Sequence, residues 1–387
     1  MKHSQLRWLA ALSLAASVGG ASLALGGRSV DAQRLTRRAA TADMSYVAGQ
    51  IKQYTGVPRF TPPGPAFNAR KAAQGKSLFV IPASSTIPFV QTISDNMRGV
   101  AKTVGLQYIE WPNQGQPSQW AQGMDSATSR KVSAVDLLAG INPAVLEPQI
   151  KAARSAGVGT VVAHLYNVGQ TPAPNLAATV DIPYEKAGRL LADWTIAKTK
   201  GHVDAVVVTI NEVVSTQAMV HGINDEVTRH CGGGCKLAFI NVTIPEVATK
   251  IQPEVQTALA QDPSINYVIA LYDSAEAPFA VAAIRAAGAT SRVKVVTFNG
   301  TPSVLKMVQQ GDSVEMDIGE NLDWIGRAIM DQHMRLMAGL PALHDPKIPL
   351  RIFDQTTVND TGRPPRDSAG FGSSYVSGYN KLWGLSH

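Results

Sequence analysis

The chain has 387 residues, a formal net charge of +6, and 45% apolar against 17% charged residues. That length has room for two domains. The charge is modest and no Lys/Arg cluster is interleaved with aromatics, which argues against nucleic acid as a partner.

Lys2, His3 and Arg7 precede an Ala- and Leu-rich apolar run over 8–25, and Val30-Asp31-Ala32 offers a small-residue cleavage site before Gln33. Residues 1–32 therefore read as a secretory signal peptide. An uncleaved N-terminal anchor is the alternative, against which Gly19-Gly20 and the cleavage site weigh. No cysteine stands near that site, so a lipid anchor is not indicated, and no later run is long enough to span a bilayer. Residues 33–75 form a leader rich in Pro, Gly and basic residues, with an extended stretch at 61–65 and room for a short helix over 44–54.

From Ser77 the rhythm is regular. Short apolar runs at 77–81, 106–111, 134–139 and 159–163 alternate with amphipathic helices over 89–104, 120–131 and 145–156, closed by Gly105 and Gly157. A second series has strands at 204–210, 236–242, 267–272 and 293–298, and helices over 184–199, 216–229, 245–259 and 276–287. Continuous apolar runs of this length fit parallel strands covered on both faces. Residues 180–183 lie between the two series as a first crossing. A strand over 313–318 and a helix over 321–337 suggest a return near 319–322, and a third crossing near 346–349 leads to a last strand at 350–353. Three crossings make a hinge. The Gly-, Ser- and Tyr-rich tail over 359–387 has no place in this scheme.

The two cysteines, Cys231 and Cys235, are separated by three glycines and follow His230. In an exported chain a disulfide is the first reading. A metal site with His230 lacks a fourth local ligand, and redox activity lacks the Cys-x-x-Cys spacing. Gly75-Lys76-Ser77 resembles the end of a phosphate loop, but Arg70 stands where a glycine is needed and the strand follows the loop instead of preceding it. No His-Glu-x-x-His, Gly-x-Ser-x-Gly or dinucleotide fingerprint occurs at a strand-to-helix turn. No cofactor is expected. Carboxylates that meet only in space leave an enzyme open but unsupported.

Two turns carry a resemblance. Tyr272-Asp273 ends one strand, and Thr297-Phe298-Asn299-Gly300-Thr301-Pro302 ends the next. With the helix between them they resemble the periplasmic solute-binding proteins of the ribose-binding type, and the likeness in order and spacing runs over 76–353. It implies an α/β fold of two doubly wound parallel-sheet lobes joined by a multi-strand hinge, the type I periplasmic binding protein fold. The first lobe would hold 76–181 with 320–346, and the second 182–319 with 347–358. The ligand would sit in the cleft at the carboxyl ends of the strands.

The resemblance also implies a set of site positions. Ser84, Ser85 and Thr86 precede a helix whose amides can hold a polar group, unless one serine merely caps it. Phe89 of the Pro88-Phe89 pair would pack on a sugar face, or belong to the core. Asn142-Pro143 matches the loop after the third strand. His164 stands where the family has an aspartate, Leu165 or Tyr166 where it has an arginine, and Met219 where it has another. Tyr272 replaces an asparagine, Asn299 an aspartate, and Glu320 a glutamine ahead of Asp323-Trp324-Ile325-Gly326. Asp273 matches directly, with a structural role on loop amides as the alternative. The charged side chains that grip a pentose are replaced here by softer, more aromatic ones. The expected solute is a sugar or sugar-like compound, with a polyol or an aromatic or amine-bearing solute also open.

The function so implied is that of an exported, monomeric substrate-binding protein. It closes on one small solute and presents it to the permease of an ABC importer in the inner membrane. A periplasmic sensor for a chemoreceptor is the alternative. A repressor of the same fold is disfavoured by the secretory segment and by the lack of DNA-binding helices before Lys76.

Overall fold

Apolar runs buried on both faces pair side by side into two sheets. The structure, a computed structural model, describes residues 41–311 and 313–385, so the expected signal peptide over 1–32 lies outside the described residues. The first sheet holds β1 (Ser77–Pro82), β2 (Gln107–Glu110), β3 (Ala134–Leu138), β4 (Gly159–Asn167) and β5 (Ala178–Ile182), all parallel, in the order β2-β1-β3-β4-β5. The second holds β6 (Asp204–Thr209), β7 (Lys236–Asn241), β8 (Tyr267–Ala270), β9 (Lys294–Asn299), β10 (Val314–Gly319) and β11 (Arg351–Phe353) in the order β11-β10-β9-β8-β6-β7. Only β11 runs antiparallel. The strand order thus reverses at the same place in both sheets, between β1 and β3 and between β6 and β8. This is the α/β fold of two parallel-sheet lobes.

Alternation along each strand divides the core. Leu78 and Val80 of β1 face a cluster with α3 (Pro88–Val104) and α11 (Leu322–Met337), while Phe79 and Ile81 face α4 (Pro117–Ser129) and α5 (Glu147–Ser155). In the second sheet Ala205 and Val207 face α6 (Tyr184–Thr199) and α7 (Val214–His230). Val206 and Val208 face α8 (Val247–Gln261) and α9 (Asp273–Ala286). The cluster under α3, α6, α7 and α11 runs through both lobes. Helices α6 and α7 touch backbone to backbone: a Cβ on Gly188 would lie 2.1 Å from the Met219 carbonyl oxygen, and one on Gly222 2.2 Å from that of Glu185.

Within the two lobes, one strand and one α-helix were not foreseen. Residues 178–182, expected as part of a crossing, form a fifth strand because β4 offers them a free edge. Pro302–Gln310 forms a further helix, α10, which begins on its proline and packs on β10.

The leader and tail pack against both lobes. Helix α1 (Met44–Thr55) lies on α6 and β11, whereas α2 (Ala69–Ala73) lies on α11 and α3. The chain between them passes from the second lobe to the first. The tail makes the same passage: its 358–361 turn packs on α10, and α12 (Ser374–Leu382) packs on α11. Phe60 of the leader meets Tyr379 of the tail at 4.8 Å between ring centroids, and Trp324 stacks on Tyr375 at 4.7 Å. The Trp383 indole N–H donates to Asp331 Oδ1 at 2.8 Å.

Cys231 and Cys235 are disulfide-bonded and tie the end of α7 to the start of β7. The His230 ring stacks on Tyr46 of α1 at 3.8 Å. Among the described residues no group of three or more His, Cys, Asp or Glu side chains could hold a metal ion, and no helix is long and apolar enough to cross a membrane.

Candidate functional site

Where strand order reverses, the loops leaving two neighbouring strands run to opposite sides and open a crevice at the carboxyl ends. Here the loops at both reversals contribute to one cavity of ≈ 420 Å³. That lies in the range of small-molecule sites, about 300–1,000 Å³. The first lobe supplies Ile87, Phe89 and Val90 after β1, Ala139 and Gly140 after β3, and His164 and Leu165 on β4. Tyr184 enters at the start of α6. The second lobe adds Ile210, Val213 and Ser215 after β6, Ile244 and Val247 after β7, and Tyr272, Ser274 and Ala275 after β8. Asn299 and Thr301 complete the lining after β9.

The backbone is unusual at this place. Ala139 (φ 57°), His164 (φ 56°) and Asn299 (φ 134°) have positive φ, which for a residue with a Cβ costs on the order of 1–3 kcal/mol each. Such strain concentrates at ligand sites. Around His164 the pairing of β4 with β5 shifts register between Ala163 and Asn167, a bulge that re-aims the side chains there.

The polar groups of the lining are engaged with one another. His164 Nε2–H donates to Glu320 Oε2 at 3.0 Å, which leaves Nδ1 to accept from the Tyr184 hydroxyl at 3.1 Å. Asn299 Nδ2 donates to the same Glu320 oxygen at 3.1 Å. Glu320 is only 3% exposed, and its Oε1 has no hydrogen-bond partner. The Tyr272 hydroxyl lies 2.9 Å from both Ser215 Oγ and Thr216 Oγ1. Phe89 meets the His164 ring edge-on at 5.1 Å, and Tyr184 stands edge-on to His164 at 5.8 Å. Burial pushes the Tyr184 and Tyr272 hydroxyls well above the usual tyrosine range, so both stay protonated as donors.

Behind the loop at Gly300 and Thr301 lies a group of buried acids. Asp273 Oδ2 accepts from the Thr301 amide at 2.6 Å, and Asp317 Oδ1 from the Gly300 amide at 3.2 Å. Burial pushes Asp273 up to about 6 against the opposing effect of the Thr301 hydrogen bonds. It also pushes Asp317 well above the usual carboxylate range, with the neighbouring Asp273 charge adding to the effect. Asp273 thereby pins the loop after β9 to the start of α9, and Asp317 pins it to β10. Gly300 suits this close approach, since a Cβ there would lie 2.6 Å from the Gly319 Cα.

Of the expected site residues, Phe89, His164, Tyr272 and Asn299 line the cavity. Glu320 lies buried behind His164 and Asn299, and Asp273 beneath Thr301. The other five lie elsewhere. Ser84 Oγ pairs with Thr86 Oγ1 at 2.9 Å, and Ser85 Oγ accepts from the Asn113 amide at 3.1 Å. Neither serine caps α3, whose N-cap is Ile87. Asn142 caps the short turn over 143–146 by accepting from the Ala144 amide at 3.0 Å. Tyr166 packs in the cluster under α4 and α5, and its hydroxyl accepts from the Ala173 amide at 3.2 Å. After the bulge it is Leu165 that meets the cavity. Met219 is fully buried where α7 presses on α6, at the close approach of Gly188. Tyr184, Ser215, Ile87, Val213, Ile244 and Val247 were not foreseen. Most follow a strand's carboxyl end within a few residues, the one signal that could have raised them.

A cavity between two parallel-sheet lobes, fed by both strand reversals, is the arrangement of a two-lobe solute-binding protein. Residues 78–341 match the periplasmic binding protein domain family, and the chain belongs to that family. No curated protein matches it. Among solved structures it is similar to GanP, a glucose-galactose binding protein from Geobacillus stearothermophilus, at 15% identity over 73% of this chain and 98% of that one, TM-score 0.64. The Caulobacter myo-inositol binding protein bound to myo-inositol aligns at 18% identity over 74% of this chain and 96% of that one, TM-score 0.64. The 5-methylthioribose transporter solute binding protein of Thermotoga lettingae, in complex with 5-methylthioribose, aligns at 17% over 81% and 95%, TM-score 0.64. At such identities the likeness is one of fold.

Proposed function

We propose that the protein is the exported solute-binding subunit of an ABC importer, that it works as a monomer in the periplasm after loss of residues 1–32, and that it catalyses nothing. The carrying observation is the cavity fed by both strand reversals, with side chains from both lobes around one space of ≈ 420 Å³. The moving bodies are 76–181 with 320–346, and 182–319 with 347–358. A solute touching both walls binds the closed arrangement better than the open one and so shifts the population toward it. The importer's permease would then read the two lobe surfaces in that relative orientation. The solutes named for the similar structures, glucose or galactose, myo-inositol and 5-methylthioribose, support a small uncharged compound with hydroxyl groups.

Phe89, His164, Tyr272 and Asn299 would touch the solute, with Tyr184 and Glu320 positioning His164 and Asn299. A solute that binds only the folded chain raises its melting temperature by mass action. We expect a shift from at least one member of a panel of sugars, polyols and their derivatives, weakened about tenfold or more in affinity by Phe89→Ala and by Asn299→Ala. Unchanged affinity in both variants would falsify this site.

A further inference from the structure

The cavity is poorly equipped for a ligand covered in hydroxyl groups. Both ring nitrogens of His164 and the hydroxyls of Tyr184 and Tyr272 are already hydrogen-bonded to protein. The polar lining is thereby reduced largely to Asn299, whose Nδ2 also donates to Glu320, with Ser274 and Thr301 beside it. Most of the remaining lining is aliphatic. Two of the six large hydrophobic side chains that stand exposed among the described residues are at this cavity, one on each lobe: Ile87 is 43% and Ile244 58% exposed. Exposed apolar side chains on facing walls mark a surface meant to be covered.

Charge points the same way. Among the described residues no Lys, Arg, Asp or Glu lines the cavity. Behind the lining after β9 lie the acids Glu320, Asp273 and Asp317, and His164 in the lining is itself bonded to Glu320. An anionic solute would find no Lys or Arg among the described lining residues, and the imidazole that is there, His164, is already taken by the buried Glu320 carboxyl.

Resting on the solute-binding reading above, we infer that the ligand is a neutral amphiphile, with a hydroxyl-bearing end at Asn299 and an apolar body between Ile87 and Phe89 on one lobe and Val213 and Ile244 on the other. Polyhydroxyl compounds without an apolar body fill only the polar end and leave the aliphatic walls wet. The gain from covering those walls scales with the apolar area removed from water.

Calorimetric titration of the purified protein with matched pairs tests this. The probes are glycerol against 3-phenoxypropane-1,2-diol, and D-glucose against phenyl β-D-glucopyranoside, with D-glucuronate as the anionic arm. We expect the phenyl-bearing member of at least one pair to bind about tenfold tighter or more, the effect of burying one ring, and glucuronate to bind more weakly than glucose. Ile244→Ser should reduce that ratio. Phe239→Ser, which removes an exposed side chain outside the cavity, should leave it unchanged. Equal affinity within both pairs, or glucuronate binding as tightly as the phenyl glucoside, overturns the inference. If glucose or glycerol binds firmly with no gain from the ring, the inference fails while the solute-binding reading stands. If no probe binds at all, both fail.

Discussion

Two regions of this chain are rich in aromatic side chains, and they are built in opposite ways. Where leader and tail meet, Trp324, Tyr375, Tyr379 and Trp383 are at most 5% exposed. Trp383 is bonded to Asp331, and the Tyr375 hydroxyl donates to Asp323 at 2.9 Å. In the cavity the aromatics border exposed isoleucines, residues at positive φ and a carboxylate oxygen with no partner. One region is buried by the chain itself and serves stability, although the Trp324 indole N–H and the Tyr379 hydroxyl have no hydrogen-bond partner there. The other holds interactions in reserve for a solute.

The contrast can be broken most directly at Trp383. Trp383→Ala removes a buried ring and a hydrogen bond to buried Asp331, and should cost about 3–5 kcal/mol in urea unfolding. A loss below about 1 kcal/mol, the size of an ordinary surface change, would mean that the tail is not part of the stable body.

Glu320→Ala should act on the other side of the comparison. It removes the common acceptor of His164 and Asn299. We expect solute affinity to fall by roughly tenfold or more, because His164 and Asn299 lose the acceptor that positions them, a buried polar group left unsatisfied costing about 1–3 kcal/mol. Wild-type affinity in this variant would remove Glu320 from the site.

A smaller effect is expected under the leader. Asp193 on α6 is buried beside Glu226 of α7, and burial with the Glu226 charge raises its pKa to about 8. The folded chain holds this proton where the unfolded chain has released it. Its contribution is therefore complete below about pH 4, the usual range of an aspartate, and is lost as pH rises toward 8. Asp193→Asn should raise the melting temperature near pH 8 more than near pH 4. A gain equal at both pH values would show that ionisation at Asp193 does not act on stability.

Smallest of all should be Ile244→Ser measured without ligand. This side chain is 58% exposed, so stability should change by no more than about 0.5 kcal/mol. A larger loss would show that the cavity wall is part of the core after all.

The lobes were legible because their information is local. Each of β1, β3, β6 and β8 is a short apolar run, buried along nearly its whole length, and each is followed by an amphipathic helix. In sequence, residues 180–183 read as a crossing, and the strand character of β5 comes from its pairing with β4. The leader and tail were unreadable for a related reason. Phe60 has no local periodic partner, and its meaning lies in Tyr379, far along the chain.

The site was legible in part. Phe89, Tyr272 and Asn299 follow strand ends, where any open α/β sheet presents its loops. Met219 and Tyr166 stand at comparable places in sequence. A bulge at β4 and the contact of α6 with α7 through Gly188 and Gly222 remove them. The sequence by itself thus determined the strand–helix alternation, the parallel sheets and the loops from which a site could be made. Only the tertiary structure decided which side chains share the cavity, because pairs such as His164 and Glu320, 156 residues apart, meet through the packing of whole elements and leave no local pattern.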